Sequence, residues 1–435
     1  MRQRLADKVS GNLLGLFLLV PEHLRLGTWD LLRSWTQQPG DPGVAPRLAL
    51  HLVHEAALCR SGLRADRSLR HRGFELVSGL PWLPTDGAVH DLLEAHTVVQ
   101  AHRLQIALGK LRRASGHFAG KVLALDPHRL VSYSQRDMLQ RRPTAHEAAV
   151  KQAQTFFLLD AQTGQPICLT HASSARNLSR ATEELLGLAQ QILPPPQAER
   201  PLIVADIEHF TVELLDHVRQ HTPFDLVVPL RQSAALRRYY RGLPPQRFAP
   251  CWAGLAIATE NFKPRRTSLN DPCQRYIQRS GERAGDYHFK GFCCTRPRAE
   301  VPTLTRDFPD RWHIEEFFRF DQHLGWKRAG TLNLHIRAGQ MTLALLAQTV
   351  IHQLRQRLGT PFSRWDAVHF AQDLFTGLEG DVRVHKDRIL VTYYNAPQVE
   401  LWKSHFENLP EQLQKEGVDA RVPWLYNFKL DFRFK

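Results

Sequence analysis

Residues 119–230 carry strand-sized apolar runs and amphipathic stretches in an order that leaves few folds open. Runs at 121–126, 154–160 and 166–171 have the length and apolar content of strands, and the last two are joined by the turn-forming segment Asp160-Ala161-Gln162-Thr163-Gly164-Gln165-Pro166. They predict an antiparallel meander. Helical patterning follows over 178–193 and stops at Pro194-Pro195-Pro196, because proline has no amide hydrogen to give a helix. A strand at 201–206, a helix at 211–220 and a strand at 224–229 complete the series.

Three strands, helix, strand, helix, strand is the order of an α/β, ribonuclease H-like core. In that topology the first strand is central and the fourth lies beside it, so their ends are neighbours. Both runs end in a carboxylate: Asp126 follows Val122-Leu123-Ala124-Leu125, and Asp206 follows Leu202-Ile203-Val204-Ala205. Glu315 lies in 311–319, where Ile314, Phe317 and Phe318 recur at helical spacing, and a helix there would cross near both strand ends.

Two strand-end acids and one helix acid suit metal-dependent phosphoryl transfer. A phosphodiester is already negative and both its nucleophile and its leaving group are oxyanions. Two Mg2+ ions about 4 Å apart activate one and neutralise the other. Magnesium takes hard oxygen ligands and keeps several waters, so Asp126, Asp206 and Glu315 would suffice as catalytic metal ligands, with Mn2+ as a substitute. Arg311 and Glu315 are four apart, so an intrahelical ion pair competes with this role. His128 shares a strand face with Asp126, so it could bind metal or a phosphate, and His209 follows Asp206; both are candidates to hydrogen-bond the ligands from behind.

The stretch 119–335 resembles the DDE transposases of cut-and-paste bacterial insertion sequences, in the group with a β-rich insertion before the catalytic glutamate. The resemblance rests on the strand ending in Asp126, on Ile203-Val204-Ala205-Asp206 with Val212-Glu213-Leu214-Leu215 and Phe224–Leu230, and above all on Arg311-Trp312-His313-Ile314-Glu315 with Phe317-Phe318. Gly79-Leu80-Pro81-Trp82-Leu83-Pro84 is similar to a phrase in the helical DNA-binding domains of such enzymes. The chain departs from the family at Phe308, where a Tyr is usual, at Gln322, where a Lys or Arg is usual, at Pro127-His128 and at Glu208-His209-Phe210.

The resemblance implies Mg2+-dependent cleavage at element ends and strand transfer into target DNA, with Arg311, Arg319, Lys327 and Arg328 holding DNA. Arg319 or Lys327 would take the phosphate contact of the cation missing at Gln322. The partners implied are the terminal inverted repeats and target DNA, bound by a homodimer. Two alternatives stay open: a transposase-derived DNA-binding protein that does not cut, and a metal-dependent nuclease of the same fold.

The remaining chain divides around this core. Residues 1–118 are read as an all-helical N-terminal DNA-binding domain, with Asp86 capping a helix after the turn at 74–84 in a spacing compatible with docking on DNA or with plain helix packing. Residues 231–306 read as a β-rich insertion, 307–360 as the second part of the core, and 361–435 as a C-terminal region with a hairpin at 382–394 and a polar end. The basic pairs Arg112-Arg113, Arg141-Arg142, Arg237-Arg238 and Arg265-Arg266 read mostly as solvated surface, but the two in or beside the insertion, with Tyr239, Tyr240, Trp252 and Phe262 interleaved, make the insertion a DNA-contacting candidate.

Composition agrees with a polyanionic partner: 57 Lys+Arg against 43 Asp+Glu give a net charge of +14. Six cysteines without C-x-x-C pairs predict free thiols in a reducing compartment and no structural zinc, and Cys293-Cys294 reads as a buried strand pair. The run Leu13–Val20 is too short to span a bilayer and runs into Pro21-Glu22-His23 without a small-residue cleavage site, so it reads as a buried helix. A cytoplasmic, nucleoid-associated protein without membrane contact is the expectation.

Overall fold

The computed structural model describes residues 8–11, 13–37, 43–60, 74–135, 137–142, 148–173, 176–195, 199–327, 331 and 333–435. The chain forms two compact units, one of residues 113–318 and one of residues 1–112 with 319–435.

The unit 113–318 is a mixed α/β fold built on strands β1 (Val122–Val131), β2 (Val150–Asp160) and β3 (Gln165–Ser173), helix α1 (Leu178–Ile192), strand β4 (Leu202–Ala205), helix α2 (Val212–His221) and strand β5 (Asp225–Pro229). The strands lie in the order β3-β2-β1-β4-β5; β1 to β3 are antiparallel neighbours, whereas β4 runs parallel to both β1 and β5. Continuous apolar runs form these strands because the sheet is covered on both faces. Leu123 to Leu125, Phe156 to Leu159 and Leu202 to Ala205 are all fully buried. Asn177 and Thr211 cap the two helices through their side-chain oxygens, and Leu185, Ala189, Leu214 and Val218 are among the side chains these helices bury.

Strand β1 is longer than the sequence suggests, so Asp126 sits within it and not at its tip. It stays paired with β2 through Asp126↔Phe157 and Pro127↔Phe156 as far as Val131↔Gln152. Strand β4 has ended by then, which leaves one flank of β1 unpaired, and a proline is tolerated there.

The β-rich segment after β5 is a continuation of the same sheet. Helix α3 (Ala234–Arg241) precedes strands β6 (Ala249–Trp252), β7 (Leu255–Phe262), β8 (Cys273–Ser280) and β9 (His288–Cys294), and β9 returns to pair antiparallel with β5 through Phe292↔Pro229, Cys293↔Val228 and Cys294↔Val227. Cys293 and Cys294 are buried strand residues, and all six cysteines are free thiols. Two anchors hold the extension. Asp225 on β5 accepts hydrogen bonds from Arg296 at 2.9 Å and Arg298 at 3.0 Å, just beyond β9. Tyr240 of α3 packs with Phe248, Ala256, Ala258 and Ile277, and a Cβ on Gly291 would stand 2.0 Å from its hydroxyl. Tyr240 is therefore core and not part of a DNA-contacting surface, whereas Tyr239 and Trp252 are exposed. The segment 299–318 leads through the 3-10 turn Pro309–Trp312 into helix α4 (His313–Asp321).

The other unit corrects several expectations. Its N-terminal part is not all helical: Val9–Gly11 pairs antiparallel with Gly380–Val382 in a five-stranded sheet. Its helices Val20–Leu26, Val44–Ala57 and Asp86–Glu94 pack against the buried helix Leu334–Leu358, so residues 1–112 share a core with the C-terminal region, and the expected segment 307–360 is divided at Phe318. The end of the chain is not simply polar either, since Phe428–Phe434 runs parallel to Arg388–Tyr393. Leu14–Leu19 forms a buried 3-10 turn into the first helix. Thr85, not Asp86, caps the helix Asp86–Glu94 by accepting the Ala88 amide hydrogen. Arg112 is fully buried and not solvated as a surface pair would be, and burial pushes its guanidinium down to about 9. Among the described residues no helix is long and apolar enough to cross a membrane.

Candidate active site

Register alone makes neighbours of two of the three acids. Strands β1 and β4 pair in parallel up to Leu125↔Ala205, and Asp126 and Asp206 are the next residues on each. Adjacent strands lie about 4.8 Å apart and side chains opposite each other share a face. Asp206 keeps an extended backbone, with φ −77° and ψ 167°, before its carboxylate accepts the Ile207 amide hydrogen at 2.7 Å and starts a short 3-10 turn.

Burial is the main cause that pushes the Asp126 carboxyl up to about 7. The guanidiniums of Arg311 and Arg129 oppose that shift, and the carboxylates of Glu208 and Asp206 add to it. Glu208 is itself paired with Arg129. The pair of aspartates thus sits in a field of both signs, within reach of one another's charge.

Helix α4 lies over the face that carries Asp126. Phe157, opposite Asp126 on β2, meets Phe317 at 5.6 Å and Phe318 at 5.3 Å between ring centroids, and His128 stacks on Phe318 at 4.5 Å. The preceding turn, Pro309–Trp312, packs on β1 and β4. Arg311 in that turn reaches Glu315 at 3.4 Å, so the competing ion pair is formed. Among the described residues Glu315 pairs with Arg311, whose charge in turn acts on Asp126. Its side chain is 39% exposed.

Among the described residues no three His, Cys, Asp or Glu side chains stand together as a ready ligand set for a metal. The donors nevertheless fit a hard divalent cation in kind. Two adjacent carboxylates supply oxygen, and a cation between them would offset the burial and mutual repulsion that raise the Asp126 carboxyl. Glu315 would have to exchange Arg311 for the metal.

The histidines stand behind this chemistry. His209 is fully buried and is pushed down to about 4, chiefly by burial, so it stays neutral behind Asp206. His128 packs against Phe318, and His313 contacts the Ala161 carbonyl through Nδ1 at 2.6 Å. Of the four basic residues expected to hold DNA, only Arg311 belongs to this unit. Arg319 and Lys327 belong to the other, where Lys327 Nζ lies 3.3 Å from His323 Nε2. Arg328 lies outside the described residues.

A cation that sequence reasoning missed is Lys290 on β9. Its Nζ stands 5.1 Å from the Phe292 ring centroid and 5.4 Å from that of Phe308. Burial pushes its ammonium down; the Arg311 charge adds to this and the Asp206 charge opposes it. The only signal in the chain was the alternation of His288-Phe289-Lys290-Gly291-Phe292, which says strand but not where that strand pairs.

No protein-family model matches the chain, and no curated protein does. Among solved structures, it is similar to the cryo-EM structure of a piggyBac transposase synaptic complex with hairpin DNA, at 9% identity over 83% of this chain and 79% of that one, with a TM-score of 0.43.

Proposed function

We propose that this protein is a DNA transposase of the DDE class, with a ribonuclease H-like core, that cuts DNA at element ends and joins the freed ends to target DNA. One observation carries the reading: the parallel register that sets Asp126 beside Asp206 under the helix bearing Glu315. Asp126 and Asp206 would hold Mg2+, and Glu315 would complete the set after leaving Arg311. The bound ions would activate the attacking oxygen and neutralise the leaving one. Arg311, released from Glu315, has a guanidinium fork suited to a phosphate. The ring packing of Phe157 with Phe317 and Phe318 would keep the helix fixed over the strands during such an exchange. Because two ends must be paired, the active form is a homodimer on DNA. The excess of basic residues would favour that partner.

The Arg311–Glu315 pair and the absence of a ready ligand set among the described residues favour one second reading, a DNA-binding protein that does not cut. A strand-transfer assay with Mg2+ or Mn2+ on duplexes carrying the ends that flank the gene separates the two. Joined product that disappears in Asp126→Ala, Asp206→Ala and Glu315→Ala supports the transposase. Nicks without joining indicate a nuclease, and bound but uncut DNA indicates the second reading. Undiminished cutting by any of the three variants removes that residue from the site.

A further inference from the structure

We propose that Lys290, carried to the acidic site by the last strand of the sheet extension, grips a backbone phosphate of the DNA strand that lies beside Asp206. This rests on the transposase reading for the identity of the strand, but the placement of the cation stands on the sheet itself.

The placement follows from register. Strand β5 pairs with β4 through Val204↔Val227, so two residues on Asp206 falls opposite Pro229, and Pro229 is paired with Phe292 of β9. Asp126, Asp206, Pro229 and Phe292 therefore form one row across the sheet, with side chains on one face. Lys290 is two residues from Phe292 and shares that face. Because β9 runs antiparallel to β5, Lys290 lies past the carboxyl ends of β4 and β5, the edge at which α/β sheets bind their ligands.

The chemistry then selects the ligand. Lys290 is exposed, and among the described residues no carboxylate stands within ion-pair distance of its ammonium, although Asp206 is near enough to act on it by charge. Arg311 acts on it with the same sign. The two like charges act on each other, so both would gain from an anion placed between them, and a phosphodiester is such an anion. The rings of Phe292 and Phe308 flank the ammonium and restrict where it can go. Neither ring carries a hydroxyl, so the N–H donors remain for the phosphate.

Two measurements on the full chain test this. In the wild type, a short duplex of arbitrary sequence should slow acetylation of Lys290 by sulfo-NHS-acetate about tenfold by peptide mass spectrometry, as a contact worth about 1.4 kcal/mol would. Inorganic phosphate at the same phosphate concentration should not, and equal protection by it would mean a free-anion site. In parallel, Lys290→Met should lower the slope of log affinity for that duplex against log salt by about one, with Lys290→Arg restoring it. A purely structural lysine would leave the slope alone. An unchanged slope in Lys290→Met, or equal acetylation with and without duplex, overturns the proposal. A wild type that binds duplex but neither nicks nor joins it overturns the transposase reading alone, and slope and protection still decide Lys290. A wild type that binds no duplex overturns both.

Discussion

Leu125 and Ala205 stand opposite each other across two parallel strands, and that register sets Asp126 and Asp206 side by side. Nothing local to either aspartate creates the site; a pairing between distant strands does. The arrangement is costly by itself, since burial and two neighbouring carboxylates all disfavour ionised Asp126. A chain selected for stability alone would not keep it.

That cost can be measured. In chelator-containing buffer at neutral pH, Asp126→Asn should raise stability, on the order of 1–4 kcal/mol, because the amide keeps the shape without the charge. Differential scanning fluorimetry should show a higher Tm for the variant without chelated metal, and added Mn2+ should raise the Tm of the wild type only. A variant that melts earlier than the wild type would mean that the Asp126 charge is already compensated.

The order of elements from 121 to 229 was legible because strands buried on both faces read as unbroken apolar runs, while helices show their own period. The helix of Glu315 and its four-residue spacing from Arg311 were legible on the same ground. The far end of β1 was not, because Pro127 and His128 look like a strand ending and only the unpaired flank makes them tolerable. Lys290 was hidden because the pairing of β9 with β5 joins segments separated by the whole extension, and no local pattern encodes a distant partner. The last strand was missed for another reason: Leu430, Phe432 and Phe434 are buried but alternate with Lys429, Asp431 and Arg433, which makes a half-buried strand look polar.

Gly291 is a position where the extension has no room. A Cβ there would lie 2.0 Å from the Tyr240 hydroxyl and 3.3 Å from Leu230 Cδ1. Gly291→Ala should therefore destabilise the fold by about 1–3 kcal/mol in urea unfolding. Adding Tyr240→Leu should recover part of the loss, since the double variant removes the clashing ring. Equal stability of Gly291→Ala and wild type would show that α3 can slide off the sheet freely.

His23 makes the other unit sensitive to acid. It is fully buried against Thr28 Oγ1 at 3.0 Å, with the His54 ring at 5.1 Å and Trp424 at 6.2 Å, and burial pushes it from 6.5 to about 3. Between those values the unfolded chain takes up a proton that the folded chain refuses, so stability is full above pH 6.5 and falls as the pH drops toward 3. The loss from His23 alone should be about 2 kcal/mol by pH 5. His54 is also fully buried, and burial shifts it in the same direction. Urea midpoints at pH 7.5 and pH 5 should differ accordingly, and His23→Leu should shrink the difference; a midpoint independent of pH would contradict the buried, neutral state.

Asp225 is the hinge pin between the core and the extension that delivers Lys290. It is buried on β5 and neutralises Arg296 and Arg298 at the end of β9, while those two guanidiniums also donate to the carbonyls of Arg219 at 2.6 Å and Arg200 at 2.9 Å. Asp225→Ala would leave Arg296 without its carboxylate and Arg298 with the exposed Glu199 alone, so it should cost about 2 kcal/mol. The loss should be local before it is global. Hydrogen exchange should accelerate first at Cys293 and Cys294, whose pairing with Val228 and Val227 closes the sheet, and Lys290 two turns of the pleat away should lose its fixed position. If Lys290 holds phosphate as proposed, Asp225→Ala should then weaken duplex binding and flatten its salt dependence without any charge being removed from the site. Duplex binding that keeps the wild-type slope in this variant, with exchange already accelerated along β9, would mean that the anchor and the phosphate contact are independent.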